Sequence, residues 1–506
     1  MSPPAVAVRG EAAIDASAQR HDHQLALRNM FIVGVSLVAT WSVALLVRLV
    51  LPRQLGPSMF GQYSFAEALA INAFGLLGLG VDTYIQKEIP RRPAHASDFF
   101  GGIQAVRLAG TTIALTIIAL IARGGGYSNE VVGTALAFGL AQLCVLMANT
   151  SATLVYATRR VGRLSTLNIA SKLVWAAGVG IALVLRASLW TYAVAAVLSE
   201  ALRLAVLYRL SYSVAHVRLR FDLGATLAVL KRSSPFYLVQ VAVALYAKID
   251  VAIMGMLVTD RELGFYGAAT NLSSVAMLMS PFMGWVLMPQ LSRTVNDRVA
   301  FTSMLRRALE WTLVLAIPIA MMLGLGADVI VPEVFGLQFE PAVTAMRVLM
   351  PIFVLVYVAM LGATGMILLD RSWTVSVVTV LSLLANAGLN VIVIRPAWRW
   401  FGAGGAGIGA AAVSVTTEAI VAAAYVWFLR REILDARNVA SMLKSLAACA
   451  FVVAFHLFSA GLGKLRLPLD LAIYVVLVVL SRAVRVSELV DLVRSTLRER
   501  GSHANS

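Results

Sequence analysis

Apolar residues run through this chain in blocks of about twenty, separated by short polar links, and the pattern recurs some fourteen times. A hydrocarbon layer about 30 Å thick is crossed by about 20 helical residues, so each block predicts one membrane-spanning helix. The blocks fall near 29–51, 61–81, 99–122, 131–157, 166–185, 189–210, 234–257, 265–289, 308–328, 343–369, 373–394, 405–428, 442–462 and 469–481. The fold class expected is all-α, a polytopic membrane protein. Composition agrees: 59% of residues are hydrophobic and 13% charged, with a mean hydropathy of +0.82. A soluble core cannot hide so much apolar surface.

The net charge of +16 would suggest nucleic acid on a soluble domain, but its placement excludes that partner. One alternating set of links holds 28 of the 42 Lys and Arg, and the opposite set holds eight. That bias matches the positive-inside rule with both termini cytoplasmic, and an even number of spans is what such alternation requires. The expected localisation is the cytoplasmic (inner) membrane. Cys144 and Cys449 fall in separate spans, so no disulfide framework is implied. The polar leader, 1–28, reads as a disordered cytoplasmic tail rather than a cleavable signal.

The longest link, 211–233, is basic and faintly amphipathic and divides the first twelve spans six and six. It predicts a surface helix on the cytoplasmic side. The expected organisation is a first lobe at 29–210, the connecting segment at 211–233, a second lobe at 234–428, two extra spans within 429–486 and a tail at 487–506. An internal repeat supports the halves. Gly61-Gln62-Tyr63-Ser64-Phe65-Ala66 opens span two and Gly264-Phe265-Tyr266-Gly267-Ala268-Ala269 opens span eight; both read G-x-Y-x-x-A, 203 residues apart.

Leu55 to Ala66 resembles the segment after the first helix of bacterial polysaccharide-biosynthesis flippases, in the superfamily of the O-antigen and lipid II flippases and the multidrug antiporters. Gly264 to Ala269 resembles the matching second-half segment, and Gly407-Ile408-Gly409-Ala410-Ala411-Ala412 the small-residue start of helix twelve. The resemblance implies a V-shaped cavity open alternately to each side, and an undecaprenyl-diphosphate-linked oligosaccharide as cargo for O-antigen, capsule or exopolysaccharide assembly. Polysaccharide polymerase and glycosyltransferases would be its partners, beside membrane lipids.

Ionisable residues at bilayer depth cost about 2.5–3.5 kcal/mol each on insertion scales and by default face protein or a wet cavity. Arg48, Glu67, Arg107, Lys172, Glu200, Arg203, Lys248, Asp250, Glu310, Arg347 and Glu418 qualify. Lys172 and Glu310 lie near span ends and are expected to snorkel to headgroups. Glu200 and Arg203, three residues apart, can pair locally. A diphosphate needs cations that replace its lost water, so Arg48, Arg107 and Lys248 are the candidate cavity cations. Glu67, Asp250 and Glu418 are the candidate gating or coupling acids, with no cofactor expected and either protons or sodium ions as the coupling ion.

Other signals carry less. Gly402-Ala403-Gly404-Gly405-Ala406-Gly407 fits G-x-G-x-x-G, but it follows a span rather than a strand, so close helix packing explains it better than a dinucleotide. The six histidines form no metal constellation, and no Walker motif is present. The alternatives are a cation-coupled multidrug antiporter, a membrane-embedded polysaccharide polymerase and a structural scaffold. The cations at depth argue against the first; the short outward links and the absence of D-x-D argue against an enzyme.

Overall fold

The computed structural model describes residues 5–89, 96–157, 161–215, 220–274 and 287–481, and all regular structure among them is helical. The helices are α1 (Ala5–Gly75), α2 (Val81–Glu88), α3 (Ala96–Gly124), α4 (Asn129–Ala157), α5 (Val161–Val184), α6 (Leu189–Ala215), α7 (Leu223–Tyr246), α8 (Ile249–Leu257) and α9 (Asp260–Ser273). Then follow α10 (Met288–Thr294), α11 (Arg298–Leu325), α12 (Ala327–Phe335), α13 (Ala342–Leu349), α14 (Ile352–Leu368), α15 (Ser372–Phe401), α16 (Gly405–Phe428), α17 (Arg430–Ile433), α18 (Ala436–Phe458) and α19 (Arg466–Leu480). Helices dominate because lipid offers no partner for backbone N–H and C=O, so each span must satisfy its own. Many large apolar side chains, such as Ile113, Leu120, Leu384 and Ile392, are exposed, as lipid contact requires.

Among the described residues nine helices are long and apolar enough to cross a membrane, and a bent pair makes a tenth. The count of fourteen differs for identifiable reasons. Spans one and two are the two limbs of α1. Span six corresponds to α6, which is not among the nine and carries Glu200, Arg203 and Arg209. Span eight runs from α9 into residues outside those described, and α19 has only 15 residues. The leader is part of α1, which begins at Ala5, so the expected disordered tail is replaced by helix. The 487–506 tail lies outside the described residues. The second half of the 211–233 link is the start of α7 rather than a separate surface helix.

α1 is a hairpin. Arg48 Nη2 lies 3.6 Å from Glu67 Oε1, whereas 19 residues of unbroken helix would hold them about 28 Å apart. The chain reverses at Gly56, whose φ of 74° and ψ of 169° suit only glycine. Pro57 then starts the second limb, where its missing N–H costs nothing.

The chain divides into two units with boundaries other than the six-plus-six expectation. Unit 1 holds residues 1–48 and 66–245; unit 2 holds 49–65 and 246–506. Two local causes are visible. α7 is tied to unit 1 by the Tyr237 hydroxyl, which donates to the Leu76 carbonyl at 3.0 Å, and by Gln240 Oε1, which accepts from the Gly80 N–H at 3.0 Å. The hairpin tip is tied to unit 2 by Arg53, whose Nη1 donates to the Glu333 carbonyl at 2.7 Å, and by a backbone crossing with α9.

That crossing uses both repeat glycines. A Cβ on Gly61 would lie 1.8 Å from the Asp260 carbonyl oxygen, and one on Gly264 would lie 1.9 Å from that of Pro57. Each glycine thus faces the residue four before the other, a local two-fold relation. Gln62 Nε2 donates to Asp260 Oδ2 at 2.8 Å beside it. The Phe339 ring packs against Phe60, Phe265 and Phe335, with centroids 5.7–6.5 Å apart.

Unit 1 has its apolar core around Val81, Ile85, Phe99, Ile103 and Leu154, and α4 packs along α6. In unit 2, α15 packs along α16, and α18 and α19 both pack on α11. The last two spans, expected only as an addition to the two lobes, therefore belong to this unit.

Gly61→Ala and Gly264→Ala test the crossing. Neither carbonyl is a flexible side chain, so each substitution should cost at least about 1–3 kcal/mol. The expected outcome is a several-degree fall in melting temperature of the detergent-purified protein, with Gly133→Ala, whose Cβ meets nothing within 4 Å, near wild type.

Candidate functional site

Of the six candidate residues, Arg48, Glu67 and Arg107 lie in unit 1 and Lys248, Asp250 and Glu418 in unit 2. The unit 1 members separate into two arrangements. Arg48 and Glu67 pair across the α1 hairpin, Arg48 about one-third exposed. Arg107 is fully buried. It donates from Nη1 to the Leu146 carbonyl at 2.9 Å and to Thr150 Oγ1 at 2.5 Å, from Nη2 to the Gly78 carbonyl at 3.1 Å, and from Nε to the Leu77 carbonyl at 3.3 Å. Thr150 passes its own hydrogen to Asp82 Oδ1 at 2.8 Å. Leu77 and Gly78 follow the end of α1, where carbonyls lack helical partners and favour a cation. In this conformation Arg107 therefore holds α1, α3 and α4 together rather than facing open space.

Two further expectations for unit 1 come out differently from each other. Glu200 and Arg203 pair at 3.0 Å, as their spacing predicts. Lys172 turns inward to Glu200 at 3.1 Å instead of snorkelling. Arg203 also donates to Asn168 and Asn149 at 3.2 and 3.0 Å, so this cluster satisfies itself.

Unit 2 gathers the other three around a break in span seven. The apolar run 234–257 predicts a continuous helix, but α7 stops at Tyr246 and α8 starts at Ile249, with a bend of 46°. Lys248 sits at the break with a non-helical φ of −147°, half-buried. Two residues on, Asp250 accepts the hydroxyl of Tyr266 at 2.5 Å and the N–H of Val251 at 2.8 Å. Tyr266 Oη also lies 3.5 Å from Ser414 Oγ on α16. One turn further along α16, buried Glu418 accepts the hydroxyl of Tyr246 at 2.9 Å. Thr417 beside it accepts from Asn386 Nδ2 at 3.1 Å, and Asn386 Oδ1 accepts from Asn390 at 3.0 Å.

Tyr246, Tyr266, Ser414, Thr417, Asn386 and Asn390 were not singled out by the sequence reading. Asn386 and Asn390, spaced i, i+4 in an apolar span, were a legible signal. So was Tyr266, the tyrosine of the second G-x-Y-x-x-A. Chemically the cluster offers oxygens and hydroxyls in series, a set that can pass a proton or surround a hard cation. Among the described residues no group of three or more His, Cys, Asp or Glu is arranged for a metal ion.

The glycine-rich stretch before α16 serves packing and capping. Gly404, at φ 82°, would place a Cβ 2.2 Å from the Pro341 carbonyl oxygen. Glu262 accepts from the N–H groups of Gly404 and Ala406 at 2.8 and 3.3 Å, a carboxylate at the positive end of a helix.

Unit 2 also contains a groove of about 1090 Å³ between α11, α14, α16 and α18. Its walls are apolar, among them Leu313, Val354, Ala423 and Met442, while Arg347, His456 and Arg466 supply the polar lining. Arg347 and Arg466 both pair with Asp328, so two guanidinium groups share one carboxylate. His456 Nδ1 is 2.6 Å from Asp470 Oδ2 on α19.

This fold is that of multi-span membrane transporters. It is similar to the lipid II flippase MurJ in an inward closed conformation, with a TM-score of 0.70 over 91% of this chain and 100% of that one, at 13% identity. It is also similar to an inward-facing multidrug resistance MATE family transporter of the MOP superfamily, with a TM-score of 0.56 over 77% of this chain and 98% of the other, again at 13% identity. At such identities the likeness concerns the fold alone. The sequence model of the polysaccharide biosynthesis protein family matches residues 50–344, and the chain belongs to that family. A relative, the probable low-salt glycan biosynthesis flippase Agl15 of Haloferax volcanii, is 28% identical over 182 residues; the match spans 36% of this chain and 38% of that protein.

Arg107→Leu should leave buried carbonyls without donors and cost about 3–5 kcal/mol. The expected result is a lower melting temperature and less folded protein, with activity per folded molecule retained. Loss of activity at wild-type stability would instead give Arg107 a direct role.

Proposed function

We propose that this protein flips a lipid-linked oligosaccharide, with an undecaprenyl-diphosphate carrier, across the cytoplasmic membrane for polysaccharide assembly. The observation that carries this reading is the unit 2 groove. At about 1090 Å³ it has room for about thirty-six methylene-sized groups, taking about 30 Å³ for each as for a water. About two-thirds of an isoprenoid tail of fifty-odd carbons fits an apolar channel of that size, the rest lying in the surrounding lipid. Arg347 and Arg466 share a single carboxylate, a local excess of positive charge that suits a phosphate-bearing head. Family membership and the glycan-related name of the relative point the same way.

In this mechanism the tail rides in the groove while the path for the head is exposed alternately to the two sides. Arg48 in unit 1 and Lys248 in unit 2 are the proposed cations that the diphosphate meets in turn along its path, with Arg347 and Arg466 holding it while the tail lies in the groove and Arg107 supporting the first lobe. Asp250 and Glu418, with their tyrosines, are the proposed coupling acids, taking up and releasing a proton or sodium ion; Glu67 gates by pairing with Arg48. The second reading, a cation-coupled drug antiporter, draws on the same acids and on the MATE-like fold. Against it, the groove's polar lining contains two arginines and no free acid to attract a cationic drug.

Lys248→Ala should abolish polysaccharide export at unchanged protein level, with lipid-linked oligosaccharide accumulating on the inner leaflet. Ala423→Trp, at an exposed groove-lining site, should lower export about tenfold or more by filling the channel, the equivalent of at least about 1.4 kcal/mol. Normal export in both variants, together with altered resistance to cationic drugs, would favour the antiporter.

A further inference from the structure

A second groove, of about 590 Å³, lies wholly within unit 1 between α3, α4 and α6. Its walls include Phe100, Leu108, Met147 and Leu204, and its polar lining comes from Gln104, Tyr208 and Arg220. The rim is fixed by close packing rather than left loose. A Cβ on Gly101 would lie 2.2 Å from the Arg220 carbonyl oxygen, and one on Gly102 would lie 1.8 Å from Thr226 Oγ1. Two consecutive glycines on α3 thus let residues 220–226 lie against the helix. Tyr208 stacks on Phe100 with centroids 6.5 Å apart.

Two observations point to an occupant. Gln104 is 5% exposed, and its Oε1 is buried with no hydrogen-bond partner. Arg220 is exposed at the mouth, and no carboxylate lines the groove. By the charge bias of the sequence, the 211–233 segment faces the cytoplasm.

We propose that this groove binds one anionic phospholipid of the cytoplasmic leaflet. Its phosphate meets the Arg220 guanidinium, and one acyl chain lies against the α3 and α6 walls. Gln104, one helical turn deeper than Gly101, lines the groove at the depth of the ester carbonyls, where an amide NH₂ can donate. Size decides against the polyprenyl carrier. The volume equals about twenty methylene-sized groups, enough for a single fatty-acyl chain with its glycerol, whereas well over half of a chain of fifty-odd carbons would be left outside. This site is separate from the groove assigned to cargo and does not depend on that assignment.

The test uses the full-length protein in nanodiscs of phosphatidylcholine and phosphatidylglycerol, each lipid in turn carrying a photoactivatable acyl chain, with cross-linked peptides mapped by mass spectrometry. Phosphatidylglycerol should label the α3 and α6 segments lining the groove several-fold more than phosphatidylcholine does. Arg220→Gln should erase that preference, and Ala205→Trp, at an exposed lining position, should lower labelling of those peptides by either lipid about tenfold. Equal labelling by both lipids in the wild-type protein, unchanged in both variants, would make the groove ordinary lipid-facing surface. Displacement of the label by a polyprenyl phosphate but not by excess phosphatidylglycerol would overturn the proposed occupant. Should Ala205→Trp fail to fold, Arg220→Gln alone decides, since its head-group preference is read on an intact groove.

Discussion

Where the second limb of α1 meets α9, two helices cross with almost nothing between their backbones, and α8, α13 and α16 of unit 2 pack on α9 beside that contact. In a bilayer, burying apolar surface gives helices little reason to associate, because lipid is as apolar as a side chain. Close packing of small residues supplies the attraction instead. Gly61 and Gly264 each occupy space into which no Cβ fits, and Gly267 repeats the pattern, with Ser64 Oγ 3.0 Å from where its Cβ would be. The crossing sets the rotation of α9, and so places Tyr266, two residues past Gly264, to donate its hydroxyl to Asp250. One steric constraint thus fixes both a hairpin tip and the partner of a membrane-embedded acid.

Electrostatics then separates the buried charges by how completely each is satisfied. Four of Arg107's five N–H groups have acceptors, two of them carbonyls just beyond the end of a helix. Glu200 is held between Lys172 and Arg203. Such closed arrangements stabilise one packing and resist change, since removing any member strands a buried group. Lys248 and Asp250 differ in kind because they sit in and just after a helix break, where backbone groups are not locked into a regular ladder. Intramembrane charges at a discontinuity can change partners at lower cost than charges inside a closed network.

The sequence conveyed depth and composition well and direction poorly. Apolar block length revealed an all-helical membrane protein, because the bilayer sets that length whatever the fold. The G-x-Y-x-x-A repeat was visible, and its meaning became physical once both glycines were found at one crossing. Reversal at Gly56 was harder to read, since hydropathy is blind to which way a helix runs; only the Gly-Pro pair signals it. The break at Lys248 lies in an apolar run whose period does not change, so tertiary context decides it. Arg107 looked like a cavity cation because sequence reports that a charge lies at depth but not which carbonyls surround it. Asn386 and Asn390 were overlooked because uncharged polar residues are cheaper in a span and attract less notice, although their spacing placed them on one face.

In the proposed mechanism, α16 joins the two parts of unit 2. Ser414, Thr417 and Glu418, at i, i+3 and i+4, face the tyrosine and asparagine cluster. Ala419, Ala422, Ala423 and Val426, at i, i+3, i+4 and i+7, line the apolar groove. A helix is stiff along its axis, so a shift or rotation of α16 that follows a change of charge at Glu418 must also change the width of the groove. Small alanines on the groove face make that width sensitive, because they leave no long side chain to re-pack and absorb the movement. Cargo and coupling ion therefore need no long relay in this mechanism: the wall that would sense the ion is also the wall that would hold the tail.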